Sequence, residues 1–262
     1  MNASEYEKPK EIVDPGSRSG RDGMTHGGHE KPSLPNVASG RTVASQSNIM
    51  SELRYDLHNI WTAILLRAPE RPKTMLLCGA NYGEGTSFLS YHLALLLSLE
   101  YGLKTLYVET DPEGGKPYRP LPGEERRPGF AAYFKENQPL DSLVRETDTP
   151  GFYLLPDAPP FDLAGMSHFI SEKEAIRQLI AYCTDHFDVT VFDGQPVHKS
   201  PRVIGFARAI DLVLFVCRYA GSRREVSKLA LDKLQQGGVK ISGVLLNDRQ
   251  YPVPARIYRY LK

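Results

Sequence analysis

Short apolar runs alternate with helical stretches through most of this 262-residue chain, and that alternation limits its fold more than any other feature. The runs are "TMLLCGA", "TLYVET", "GFYLLPDA", "DVTVFD", "DLVLFVC" and "ISGVLLN". Each is apolar almost throughout rather than at every second position, so both faces of each strand must be buried. Such strands, separated by helices, form a parallel sheet covered on both sides. Helical spacing places helices at 87–101, 172–186, 201–209 and 222–236, with glycine endings at Gly102 and Gly237-Gly238. The expected fold class is α/β, a mostly parallel twisted sheet with helices on both faces.

Ahead of the first strand, Ile49, Met50, Leu53, Leu57, Ile60, Trp61, Ile64 and Leu65 recur at helical spacing. They predict an amphipathic helix whose stripe packs on the domain, with Ser47 or Ser51 as its cap. Residues 1–47 are rich in Gly, Ser, Pro, Lys and Glu without apolar periodicity and read as a disordered tail, leaving 48–262 as the folded domain. His26 and His29 in that tail lack the ligand count of a metal site.

Composition excludes several classes of function. A net charge of +1 supplies no field that would draw in nucleic acid or anionic lipid. Cys78, Cys183 and Cys217 sit in apolar segments without metal-ligand spacing and read as buried thiols of a reducing compartment. The N-terminus lacks the apolar core of a signal peptide, and the apolar helix around Phe88 to Leu99 is too short to span a bilayer. The expectation is a soluble chain that reaches a membrane only through a partner.

Chemistry concentrates in "LLCGANYGEGTSFLSYHLALLL", residues 76–97. Strand, glycine-bearing turn and helix in that order make the frame of a phosphate-binding loop. In such a loop, backbone N–H groups and a helix N-terminus point at the anion. Gly83 and Gly85 let the chain curl, and Ser87 can place its hydroxyl on Mg²⁺. Where the loop would carry a lysine to reach the β- and γ-phosphates, this chain has Thr86, which offers a hydroxyl and no charge. Two further strands end in carboxylates: "TLYVETDPEGG" in Glu109 and Asp111, and "DVTVFDGQPV" in Asp193. A carboxylate ending a strand beside the loop suits a Mg²⁺ shell or a water-positioning role. The long polar segment 112–130 follows a strand end, where ligands sit in such sheets.

These three elements, in this order, carry a resemblance. Residues 49 to 260 resemble the bacterial tyrosine kinases of capsule and exopolysaccharide operons, relatives of the MinD/ParA deviant-Walker ATPases. The family's loop commonly reads Pro-Gly-Glu-Gly-Lys-Ser/Thr; here it is Tyr82-Gly83-Glu84-Gly85-Thr86-Ser87. Its second Walker strand commonly ends Asp-x-Asp-x-Arg; here Glu109-Thr110-Asp111-Pro112-Glu113 stands there. Its Walker B strand commonly ends Asp-x-Pro-Pro; here it is Asp193-Gly194-Gln195-Pro196. The late segment from Ala209 to Pro252 follows the family closely, and the resemblance puts Asn247 at the adenine edge. Ring assembly in the family uses Glu-x-x-Arg-x-x-Arg on the helix before the first strand, where this chain has Glu52, Tyr55 and His58. The C-terminal tyrosine cluster is reduced to Tyr251, Tyr258 and Tyr260.

The resemblance implies a P-loop NTPase fold, with ATP or ADP and Mg²⁺ as cofactors. It implies a nucleotide cradle of Gly83, Glu84, Gly85, Thr86, Ser87 and Asn247, metal ligation by Ser87, Asp111 and Asp193, and catalytic roles for Asp111, Asp193 and Glu109. It further implies an inner-membrane polysaccharide co-polymerase or chain-length protein as partner, a homo-oligomer, and a cytoplasmic location peripheral to that membrane. With the lysine replaced, the expected function is a catalytically impaired regulator or scaffold of polysaccharide assembly. The alternatives are an active tyrosine autokinase or ATPase using a substitute cation such as Lys116 or Arg119, and a MinD/ParA-type positioning ATPase.

Overall fold

The computed structural model describes residues 40–110, 128–156 and 172–248, and the site lies in the unit Ser47–Lys262. Seven strands form one sheet in the order β3-β4-β2-β5-β1-β6-β7. They are β1 (Thr74–Gly79), β2 (Thr105–Glu109), β3 (Arg145–Glu146), β4 (Phe152–Leu155), β5 (Val189–Asp193), β6 (Leu212–Arg218) and β7 (Ile241–Asn247). All neighbours pair parallel except the short edge pair β3 and β4. Every residue of β1, β2 and β5 is buried, which accounts for their unbroken apolar spelling.

Helices cover both faces. On one face α1 (Gly40–Arg67) and α2 (Thr86–Tyr101) pack Leu57, Trp61, Ile64, Leu89, Leu93 and Leu97 against the strand residues Met75, Leu77, Tyr107, Val189 and Val191. On the other lie α3 (Phe130–Glu136), α4 (Leu140–Leu143), α5 (Glu172–His186), α6 (Arg202–Ala207) and α7 (Arg224–Gln236). Side chains alternate across each strand, so Met75 and Leu77 join the first core while Leu76 and Cys78 join the second.

Several expectations are corrected. The first helix runs from Gly40 rather than from Ile49, so Ser47 and Ser51 lie within its span rather than at its start. Its stripe does pack on the sheet, but Leu65 is 42% exposed. Cys217 is only partly buried, unlike Cys78 and Cys183. The glycine endings hold: Gly102 closes α2 in the left-handed region at φ 63°, donating its N–H to Ser98 O while Leu103 donates to Leu97 O, and Gly238 has φ 78°. Among the described residues no helix is long and apolar enough to cross a membrane.

Connections at the carboxyl ends place the site. The chain leaves β1 through α2 towards β2 and leaves β6 through α7 towards β7, so two adjacent strands send their loops in opposite directions. In open α/β sheets that divergence opens the crevice where ligands bind.

Candidate functional site

The turn from β1 into α2 is built on two glycines in the left-handed region, Gly83 at φ 83° and Gly85 at φ 88°. A side chain is strained in that region, so the curl depends on glycine at both places. At Gly85 a Cβ would also run into the Asn247 side chain. Asn247, at the end of β7, donates its Nδ2–H to Glu84 O at 2.9 Å and so seats on the loop itself. Expected at the adenine edge, it is found fastening the turn.

Glu84 points inward and is 5% exposed. Its Oε2 accepts the Ala80 N–H at 2.6 Å and its Oε1 accepts the Ser222 hydroxyl at 2.7 Å. Ser222 lies in the turn after β6 and also accepts the Arg218 N–H at 2.9 Å. The carboxylate of Glu84 therefore ties the loop to the β6–α7 turn across the crevice. Gly79 allows this close approach, since a Cβ there would collide with the Glu84 carboxylate.

Asp193 ends β5 beside the loop and is 3% exposed. Its register partner on β2 is Glu109, also 3% exposed. The two carboxylates stand side by side on the face that α2 covers. The Tyr107 hydroxyl donates to Asp193 Oδ2 at 3.2 Å, whereas Oδ1 is buried without a hydrogen-bond partner among the described residues. Burial pushes the Asp193 carboxyl up to about 7. The hydroxyls of Ser87, Tyr107 and Ser90 nearby act in the opposite direction, and the Glu109 charge adds to the rise. Ser90 spends its own proton on Thr86 O at 2.9 Å and Ser87 O at 3.2 Å, anchoring the first turn of α2.

The segment after Asp193 runs along the end of β1. Gly194, Val197 and His198 donate their N–H groups to Leu77, Gly79 and Ala80 at 2.8, 3.0 and 3.2 Å. Gln195 Nε2 reaches Thr110 O at 2.7 Å, and the Thr110 hydroxyl returns to Asp193 O at 2.6 Å. These bonds lock the ends of β1, β2 and β5 together.

Of the sequence-predicted residues, the structure brings together Gly83, Glu84, Gly85, Thr86, Ser87, Asn247, Glu109 and Asp193. Asp111, Lys116, Arg119 and the tyrosines Tyr251, Tyr258 and Tyr260 lie outside the described residues, as do His26 and His29. Sequence reasoning missed Tyr107, Ser90 and Ser222. Tyr107 carried a usable signal, because it lies two residues before Glu109 and so shares its strand face. Burial and the Glu84 charge push the Cys78 thiol up to about 12, away from a reactive thiolate.

The residues fit Mg²⁺. A buried carboxylate oxygen lacking a partner is costly unless something completes it, and Ser87 stands near it. Among the described residues no group of three or more His, Cys, Asp and Glu could hold a metal. Mg²⁺ takes one or two protein carboxylates and keeps waters and substrate phosphates as its other ligands, a demand that Asp193 with Ser87 can meet.

Sheet, loop and strand-end carboxylates together define a P-loop NTPase fold. No family model matches the chain. It is 26% identical over 170 residues to the tyrosine-protein kinase Ptk of Acinetobacter johnsonii, covering 63% of this chain and 22% of that one. It is 22% identical over 221 residues to the tyrosine-protein kinase Etk of Escherichia coli strain K12, covering 84% and 29%. The solved kinase domain of Etk superposes with a TM-score of 0.65 at 19% identity, over 77% of this chain and 79% of the domain. MinD of Pyrococcus horikoshii, solved with Mg-ADP, gives 0.53 at 16% identity, over 72% and 77%. The chain is thus similar in sequence to bacterial tyrosine kinases and has the fold that the Etk kinase domain shares with MinD. It spans between a fifth and a third of the length of Ptk and Etk.

Proposed function

We propose that this chain is a nucleotide-binding P-loop protein that acts as a regulator or scaffold of capsule and exopolysaccharide assembly, with turnover impaired. One observation carries the reading: the loop keeps its glycine curl and its partnerless Asp193 oxygen, yet residues 80–87 contain no cationic side chain. Backbone N–H groups at the start of α2 are orphan donors and suit phosphate oxygens. Mg²⁺, when bound, would supply positive charge against the phosphate oxygens. Ser87 and Asp193 would hold it, with Glu109 as the neighbouring carboxylate. Asn247 and Glu84 act on the loop rather than on the ligand, the first fixing its curl and the second its tether to Ser222.

Thr86 can hydrogen-bond a phosphate oxygen but cannot neutralise the charge that develops there. Loss of one such stabilising group costs about a hundredfold or more in rate. Binding survives this loss better than turnover, because the backbone cradle does not depend on the lysine. The partner, by resemblance to the polysaccharide kinases, is an inner-membrane co-polymerase or chain-length protein that would hold the chain at the cytoplasmic side.

Strains carrying a gene deletion or Asp193→Ala test this reading through their surface polysaccharide. The deletion is expected to lower output and Asp193→Ala, at normal protein level, to be much milder. An Asp193→Ala strain as defective as the deletion would favour an active enzyme with a substitute cation.

A further inference from the structure

We infer that Tyr107 is a positioning residue for the metal subsite, holding Asp193 by one oxygen so that the other stays directed to the cation. The inference rests on the proposed Mg²⁺–nucleotide reading. Tyr107 is fully buried on β2, and its hydroxyl donates to Asp193 Oδ2 at 3.2 Å across the β2–β5 pair. Its register neighbour on β5 is Val191, so the phenol reaches forward along the sheet to the carboxylate two residues further on. The ring is held edge-on by Tyr91, at 5.4 Å between centroids and 88°. Tyr91 is likewise edge-on to Phe152, at 5.6 Å and 79°.

The asymmetry of Asp193 makes this a device rather than ordinary core satisfaction. One oxygen has a fixed donor and the other, equally enclosed, has none among the described residues. A carboxylate free to turn about its last bond could offer either oxygen to either neighbour. A rigid phenol allows one orientation, in which Oδ1 is unspent. From the helix side, Ser90 gives its proton to Thr86 O at 2.9 Å and Ser87 O at 3.2 Å, which fixes the first turn of α2 beside Asp193. Pre-setting a ligand oxygen in this way removes the cost of ordering it when the cation arrives.

The test uses the full chain with Tyr107→Phe, which keeps the ring and its aromatic contacts. The affinity of a methylanthraniloyl-labelled ADP is measured in Mg²⁺ and in EDTA for both proteins. Wild type is expected to bind more tightly in Mg²⁺, and Tyr107→Phe to lose about tenfold of that affinity while matching wild type in EDTA. A merely structural hydroxyl would lower the melting temperature and leave the Mg²⁺ advantage intact, and that result overturns the inference alone. Wild type that binds no labelled ADP in either buffer overturns the proposed function and this inference with it. A second readout needs no variant: Mg²⁺ with ADP should shift the ultraviolet difference spectrum of buried tyrosine in wild type, beyond the change in EDTA. No such shift counts against the role.

Discussion

Thr86 and Asp193 set opposite limits on what the site can do. A lysine at position 86 would meet a loop already curled, with Ser87 in place, so Thr86→Lys is expected to strengthen ATP binding about tenfold or more. Calorimetry on the folded variant checks this, and unchanged or weaker binding would mean that the loop is not shaped for phosphate. Asp193 gives a prediction in pH. Its carboxyl rises from the ordinary 3.8 to about 7 on folding, mainly through burial. The folded chain therefore holds the proton where the unfolded chain has lost it, and stability falls as pH rises through that window. Asp193→Asn removes this penalty. Its stability relative to wild type should grow between about pH 4 and pH 7, by on the order of a few kcal/mol at most, and then level off. Urea melts at several pH values measure it, and a difference that does not vary with pH would contradict the burial account.

Elements differ in how plainly the sequence spelled them. β1, β2 and β5 are buried on both faces, so their apolar runs were unmistakable, and α2 and α5 followed from helical spacing. β3, α3 and α4 were not foreseen. They span two, seven and four residues, too short for a period to register, and β3 is partly exposed at the sheet edge. The start of α1 was misplaced because polar residues such as Ser47 favour caps without requiring them. In the site, the glycines and strand-end carboxylates were legible, being tied to places in the chain. The contacts of Tyr107 and Ser222 were not, because they join β2 to β5 and the loop to the β6–α7 turn over long sequence separations. At the same scale, α7 presents Arg224, Lys228 and Leu229 outward, with Arg223 just before it. On the reading that the proposed membrane partner docks on this face, reversing the charges of Arg223, Arg224 and Lys228 should weaken co-purification with it and leave melting unchanged, since exposed charges contribute little to stability. Undiminished co-purification would remove α7 from the docking surface.

The whole molecule combines a sheet packed by a separate core on each face with a crevice at the strand ends, which on the proposed reading holds a nucleotide and turns it over poorly. Its fold is shared with the Etk kinase domain and with MinD, and its loop, residues 80–87, carries no cationic side chain. A single calorimetric titration of ATP into the full chain with Mg²⁺ tests this most directly, because it reads binding and hydrolysis in the same trace. The account predicts a saturable binding heat that weakens in EDTA, followed by a flat baseline. A sustained heat of hydrolysis after each injection, or no binding heat at all, would contradict it.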